Sequence, residues 1–321
     1  MSSQAHIVVT CTNRKTRPAP SDLSVRNLDV VGKSDRPRAW IARLRDSKEP
    51  SVPARVLYAG DHWSIARSLD RKARACGIEA TTWVVSAGYG LVPISAELRP
   101  YAATFALGHE DSVVSGSSAP SSIVGLKEWW RSLAAWEGPT PTEARSLAEL
   151  ARRNPSTPIF IAAAPTYLAP LEDDLNEAAA NLSSPELLFV ASAGADDSGG
   201  FSRYLIPADA GLKHVLKGAM PSLNVRVLQE ALGAWGACEF DPPALRRHFD
   251  QLRKEQPVTK KLDRAPMSDD EVRAFVRAEL STNPKSKHSP LLRKLRDSGR
   301  ACEQKRFGTL FAEVWKEVVR D

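Results

Sequence analysis

Through the first 240 residues, short and continuously apolar runs alternate with segments of helical period. Residues 6–10, 81–86, 157–162 and 186–191 are apolar without alternation, and 55–58 is a shorter run of the same style. Uninterrupted apolar runs mark strands covered on both faces, as in a parallel sheet. Helical periodicity fills the intervals at about 61–76, 126–136, 142–154 and 168–181. The first of these carries Ile65, Leu69 and Ala73 along one face. This rhythm predicts a doubly wound α/β fold with a mostly parallel sheet. Residues 16–37 and 108–122 are rich in Pro, Ser and Gly and are expected to be long loops acting as lids.

Near Asp241-Pro242-Pro243 the rhythm changes. Leu245, Phe249 and Leu252 share one face of a helix over 242–254, and 256–266 reads as a basic linker. Ser268 and Glu271 form a capping box that starts another helix. Helices over 289–297 and 302–319, joined at Ser298-Gly299, have the outline of a helix-turn-helix. The expected organisation is an α/β domain over 1–240 and a C-terminal helical module over 241–321.

Charge sharpens this division. The 321 residues carry a net charge of +6. Residues 241–321 hold nineteen Lys and Arg against thirteen Asp and Glu, so the excess lies there and the first 240 residues are balanced. A neutral body with a basic appendage is suited to a polyanion, and the expected partner is nucleic acid, DNA ahead of RNA. The candidate contacts are Lys285, Lys287, Arg293, Lys294, Arg296, Arg300, Lys305 and Arg306. No apolar run approaches the ~20 residues of a membrane helix, and the short polar start lacks a signal-peptide pattern, so a cytoplasmic protein without membrane contact is expected. The four cysteines form no C-x-x-C pair and no zinc spacing, so free thiols are expected, with no metal and no cofactor.

In an open α/β sheet, ligands bind beyond the carboxyl ends of the strands. Those ends read Cys11-Thr-Asn13-Arg-Lys15, Gly60-Asp61-His62, Ser86-Ala-Gly-Tyr89 with Tyr101 and Phe105 shortly after, Ala164-Pro-Thr-Tyr167, and Ser192 through Asp196-Asp197. Together they predict one pocket suited to a planar base. Each element also has a purely structural reading. Cys11 can be a small buried residue, Tyr89 and Tyr101 packed aromatics, His62 a helix-start residue, and Asp196 and Asp197 turn residues before Gly199-Gly200. Gly88-Tyr-Gly90 matches no nucleotide-phosphate fingerprint.

The segment Ser86-Ala-Gly-Tyr-Gly-Leu-Val-Pro93 followed by Pro100-Tyr101 resembles the signature of the bacterial peroxide-stress protein family YaaA. It is closer still to related uncharacterised bacterial domains, in which a first strand ends in Cys then Lys (here Cys11 and Lys15) and a Pro-Ala-x-x-Leu-Tyr segment follows (here Pro53 to Tyr58). The likeness covers roughly residues 6–105. It implies a DNA-binding protein of glycosylase-like architecture. Related domains stand beside base-exchange enzymes and in phage-defence settings. This chain has no evident helix-hairpin-helix, whose place the helical pair over 289–319 would take.

Together these expectations describe a DNA glycosylase-like enzyme that flips out and excises a base, of modified phage type, in antiviral defence. Base flipping needs a basic docking surface, an aromatic face and a pocket that reads the base edge. Tyr89, Tyr101 and Phe105 are the expected stacking faces. Cys11, Gly60 and Ser86 line the pocket, and Asn13, Lys15 and His62 act as donors. Asp61, Asp196 and Asp197 are the candidate catalytic carboxylates. A non-catalytic nucleic-acid sensor and an RNA-base-modifying enzyme remain the alternatives.

Overall fold

A computed structural model describes residues 3–28, 35–114, 120–195, 201–206, 208, 212–255, 264–284 and 286–318. The chain divides into two compact units, Met1–Pro257 and Val258–Asp321.

Among the described residues the central sheet of the first unit has six strands: β1 (Ser3–Thr10), β2 (Ile78–Ser86), β3 (Gly90–Pro93), β4 (Ile159–Ala162), β5 (Leu188–Ala191) and β6 (Leu205–Ile206). They lie in the order β3-β2-β1-β4-β5-β6, and only β3 runs antiparallel to its neighbour. The parallel strands therefore appear as second, first, third, fourth and fifth. Strand order reverses between β1 and β4, and such a reversal opens a crevice at the carboxyl edge. The apolar runs explain the centre: Ile7, Val8, Val9, Phe160, Ile161, Phe189 and Val190 are all fully buried.

Among the described residues the main helices are α1 (Arg36–Asp46), α2 (Asp61–Ala66), α3 (Leu69–Ala75), α4 (Pro120–Ala135), α5 (Leu147–Arg153), α6 (Pro165–Asn181), α7 (Leu223–Ala237) and α8 (Pro242–Lys254). No helix among the described residues is long and apolar enough to cross a membrane. Several expectations are corrected. Residues 55–58 are not a strand, because Ala54–Leu57 form one helical turn. That turn buries Ala54 and Leu57, three apart, and leaves Val56 47% exposed. The helix expected over 61–76 breaks at Arg67-Ser68, where the Ser68 hydroxyl bonds the Ile65 carbonyl. The expected lid over 16–37 ends in α1, which starts on a Pro in its first turn. Helix α8 belongs to the first unit, whose core takes Leu245 and Phe249.

His6 on β1 gives a pH prediction. It is 8% exposed, and its Nδ1 accepts the Trp83 indole N–H at 3.3 Å, which requires an unprotonated nitrogen. Burial pushes its pKa down to about 4. An unfolded histidine titrates near 6.5, so between 6.5 and 4 the unfolded chain holds the extra proton. Stability from this group is complete above the unfolded value and is lost as pH falls toward the folded value. The expected loss is about 3 kcal/mol. Urea unfolding at pH about 7 and about 4.5 should show it, and His6→Gln should reduce the difference by about that share, His62 keeping its own. An unchanged slope in the variant would assign acid sensitivity elsewhere.

Among its described residues the second unit has three helices, α9 (Asp269–Thr282), α10 (His288–Asp297) and α11 (Gln304–Val318). Val272, Val276, Leu280, Leu291, Leu295, Phe307 and Val314 form its core. The expected capping box of Ser268 and Glu271 is present. The turn after α10 uses Gly299 at φ +79°, then Arg300–Ala301 pairs in parallel with Ala265–Pro266.

Candidate functional site

Three strand ends bring one polar cluster together. Cys11 follows β1, Ser86 closes β2, and Tyr167 lies in the first turn of α6, just after β4. The Cys11 Sγ is 3.0 Å from the Tyr167 hydroxyl and 3.4 Å from the Ala87 N–H. This contact spans the gap between β1 and β4, where the strand order reverses. The Ala87 N–H is held in place by its neighbours. The Trp129 indole donates to the Ala87 carbonyl at 2.8 Å, and the Trp40 indole donates to the Gly88 carbonyl at 2.7 Å.

Ser86 Oγ is the hub of the second half. It accepts the Tyr89 N–H at 3.0 Å and lies 2.8 Å from the Tyr101 hydroxyl, which is 2.9 Å from that of Tyr58. Gly88 is required by this packing, since a Cβ there would fall 2.5 Å from the Tyr101 ring. Burial pushes the Tyr58, Tyr101 and Tyr167 hydroxyls far above the ordinary range. All three therefore stay neutral, each with one proton to donate.

Lys15 reaches the same cluster through a paired loop. The Arg14 carbonyl accepts from Ala59 N–H at 3.0 Å, and Thr16 N–H donates to Leu57 at 2.8 Å. Lys15 Nζ then sits 4.2 Å from the Tyr101 ring centre and 5.7 Å from that of Tyr58, donating to the Thr12 carbonyl at 3.2 Å. Burial pushes the Lys15 ammonium down, while the charges of Cys11 and Asp111 push back.

Gly60, Asp61 and His62 form a rim beside this cluster. Gly60 has φ +106°, a conformation open to glycine, and leads into α2. Asp61 is exposed, and its carboxylate is held below the usual range by Ser222 first and Arg226 second, the latter at 3.3 Å. The His62 ring bonds the Thr10 carbonyl, and burial pushes it down to about 4. Its Nε2 is a buried atom without a hydrogen-bond partner. Across the crevice, Asn224 of α7 joins the ends of β4 and β5, donating to Ala163 at 2.9 Å and accepting from Ala193 at 2.6 Å.

Of the expected site residues, Cys11, Lys15, Ser86 and Tyr101 therefore meet directly. Asn13 is exposed on the loop between Cys11 and Lys15. Asp196 and Asp197 lie outside the described residues. Two expectations are corrected. The convergence is a packed cluster, not an open pocket: Cys11 is 4% exposed and Tyr58, Ser86 and Tyr101 are fully buried. Tyr89, Tyr101 and Phe105 offer no free stacking face, because other side chains already cover them. Tyr101 packs edge-on against Tyr89, Tyr58 and Trp40, and Phe105 packs edge-on against Tyr167. The Tyr89 hydroxyl bonds the Arg99 backbone at 3.0 Å. Tyr58, Asn224 and Arg226 were not anticipated as site residues. Tyr58 falls in a run that reads as a strand, and the start of α7, where Asn224 and Arg226 lie, carries no motif to flag it.

The eight basic candidates of the second unit separate into groups. Lys294 pairs with Glu279 at 2.7 Å, Arg306 bonds Asp269 at 2.6 Å, and Arg296 donates to the Cys302 carbonyl at 3.0 Å. Those three brace the helices. Lys287, Arg293 and Arg300 are exposed. Lys285 and the Lys305 side chain lie outside the described residues. Comparison with protein-family models, with curated proteins and with solved structures gives no match.

Proposed function

We propose that the α/β unit is an N-glycosidic bond hydrolase acting on a base extruded from DNA, and that the C-terminal unit docks the DNA. One observation carries this reading. The Cys11 thiol after β1, Ser86 at the end of β2 and the Tyr167 phenol after β4 meet at the reversal point of the sheet, together with a lysine of lowered pKa and the neutral phenols of Tyr58 and Tyr101. The charge excess of the C-terminal segment supports the choice of nucleic acid.

In this reading the Cys11 thiol gives its proton to Lys15, and the thiolate attacks C1′ of the sugar. The C1′–N bond breaks, and its electron pair leaves with the base, which takes the Lys15 proton. Water then displaces sulfur from C1′ and restores the thiol. The net reaction consumes one water and releases the base and an abasic sugar. The anionic role is given to Cys11, since Asp61 stands at the rim paired to Arg226 and Asp196 and Asp197 lie outside the described residues. Opening the packed cluster to a base requires Lys15 to swing off the Tyr101 face. The resemblance of residues 6–105 to YaaA-related domains extends the proposal to modified phage bases and antiviral defence, and a cytoplasmic location is proposed with it.

The test is incubation with plain and hypermodified phage DNA, and with RNA, followed by assay for released base and abasic sites. Release from a modified duplex is expected. Tight binding of every substrate without release would replace the hydrolase by a nucleic-acid sensor.

A further inference from the structure

The second unit carries an aromatic groove beside the start of α10. Pro284, Lys287, His288 and Pro290 face Phe311 and Trp315 of α11 around a cavity of about 650 Å³. Trp315 is 43% exposed, although the same unit buries Phe307 completely. A second hollow of about 400 Å³ shares Ser289 and Pro290 with the first and runs on past Arg293 toward Asp297. The groove is thus bordered by the exposed cations Lys287 and Arg293 and floored by aromatic surface.

The start of α10 is its cationic end, with Asp297 at the far end of the second hollow. Helix α9 opens with a capping box and three acidic residues in its first turn. Helix α10 opens with Lys287 in the N-cap position, no side-chain cap and no acidic residue in the first turn. Cations beside the positive end of a helix oppose the helix dipole, and a bound anion relieves that opposition. Duplex DNA would satisfy the cations but shows no base face to an indole. An unpaired strand supplies both phosphates and open faces, and aromatic platforms between cations are how such strands are held.

We propose that this groove binds single-stranded nucleic acid, with an unpaired base stacked on Trp315 and phosphates at Lys287, Arg293 and the start of α10. The proposal rests on the reading that the C-terminal unit docks nucleic acid. The experiment is fluorescence anisotropy of the full chain on a poly-dT strand and on a duplex of equal length, across a salt series. Wild type is expected to prefer the strand. Trp315→Ala should weaken strand binding roughly tenfold, leaving duplex binding unchanged, and Trp315→Phe should recover most of the loss. Lys287→Ala with Arg293→Ala should lower the strand salt slope by about 0.7 for each lost phosphate contact. If Trp315→Ala binds the strand like wild type, or the duplex is preferred, the groove is not the strand site. In that case, loss of duplex affinity in the charge variant would still uphold docking by this unit. If wild type binds neither probe, the docking reading falls with the proposal.

Discussion

Cys11→Ser is expected to reduce base release by about four orders of magnitude or more while leaving DNA affinity unchanged. Serine is close in size and can keep the contacts to Tyr167 and Ala87, but its hydroxyl is a far weaker nucleophile at neutral pH. Single-turnover release from modified duplex, with binding measured in parallel, reads the effect. A covalent step also leaves a trace in the wild type: denatured protein quenched early should carry the added mass of the sugar-bearing strand, lost in the variant. Lys15→Arg should fail in a different way. A cation stays over Tyr101, but a guanidinium is already protonated and cannot take the Cys11 proton, so turnover drops without any adduct. If Cys11→Ser releases base at the wild-type rate, Cys11 is only a small core residue and the proposed chemistry is wrong.

Arg145→Ala is expected to cost about 3–5 kcal/mol of unfolding stability. The guanidinium is 5% exposed and donates to four carbonyls: Leu91 at 2.5 Å, Trp136 at 3.0 Å, Leu133 at 3.3 Å, and Tyr89. Removing it leaves buried acceptors without a donor, and each unsatisfied group costs about 1–3 kcal/mol. Burial also lowers the Arg145 pKa to about 10, so at neutral pH it remains a charged donor. Arg145→Lys should recover little, since one ammonium cannot span carbonyls on both sides of the turn. Urea unfolding is the measurement. A loss below about 1 kcal/mol would mean that water replaces the guanidinium. Arg145 clamps the turn that carries Ala87 and Tyr89, so activity should decline before the global unfolding transition.

The sheet was legible because its strands are buried on both faces and need no alternation. The runs over 6–10 and 81–86 lie in it, and those over 157–162 and 186–191 enter it at Ile159 and Leu188, after the short turn Pro185–Leu187 in the second case. Helix α1 was hidden because only Pro37, Trp40 and Leu44 are buried among charged neighbours, too sparse a stripe to read as periodic. Cys11, Lys15, Ser86 and Tyr101 were found because ligands gather at strand ends. Their arrangement was not legible. An aromatic beside glycines suggests an open platform, whereas Gly88 is small here so that the Tyr101 ring can pack against the backbone. The partner of the Cys11 sulfur is 156 residues away, a pairing that only the strand order decides.

That separation bears on how the protein is made. β1 emerges first but sits between β2 and β4, pairing with residues 78–85 on one side and 159–162 on the other. The hydroxyl contact of Ser86 with Tyr101 spans only 15 residues, so that half can close early. The thiol half must wait for β4. At typical translation rates of about 5–20 residues per second, roughly 8–30 s pass between synthesis of Cys11 and of Tyr167. For that interval β1 has an unpaired edge and its cysteine lacks its phenol, the condition in which nascent sheets need chaperones. The crevice is the last part of the sheet's centre to be completed on the ribosome.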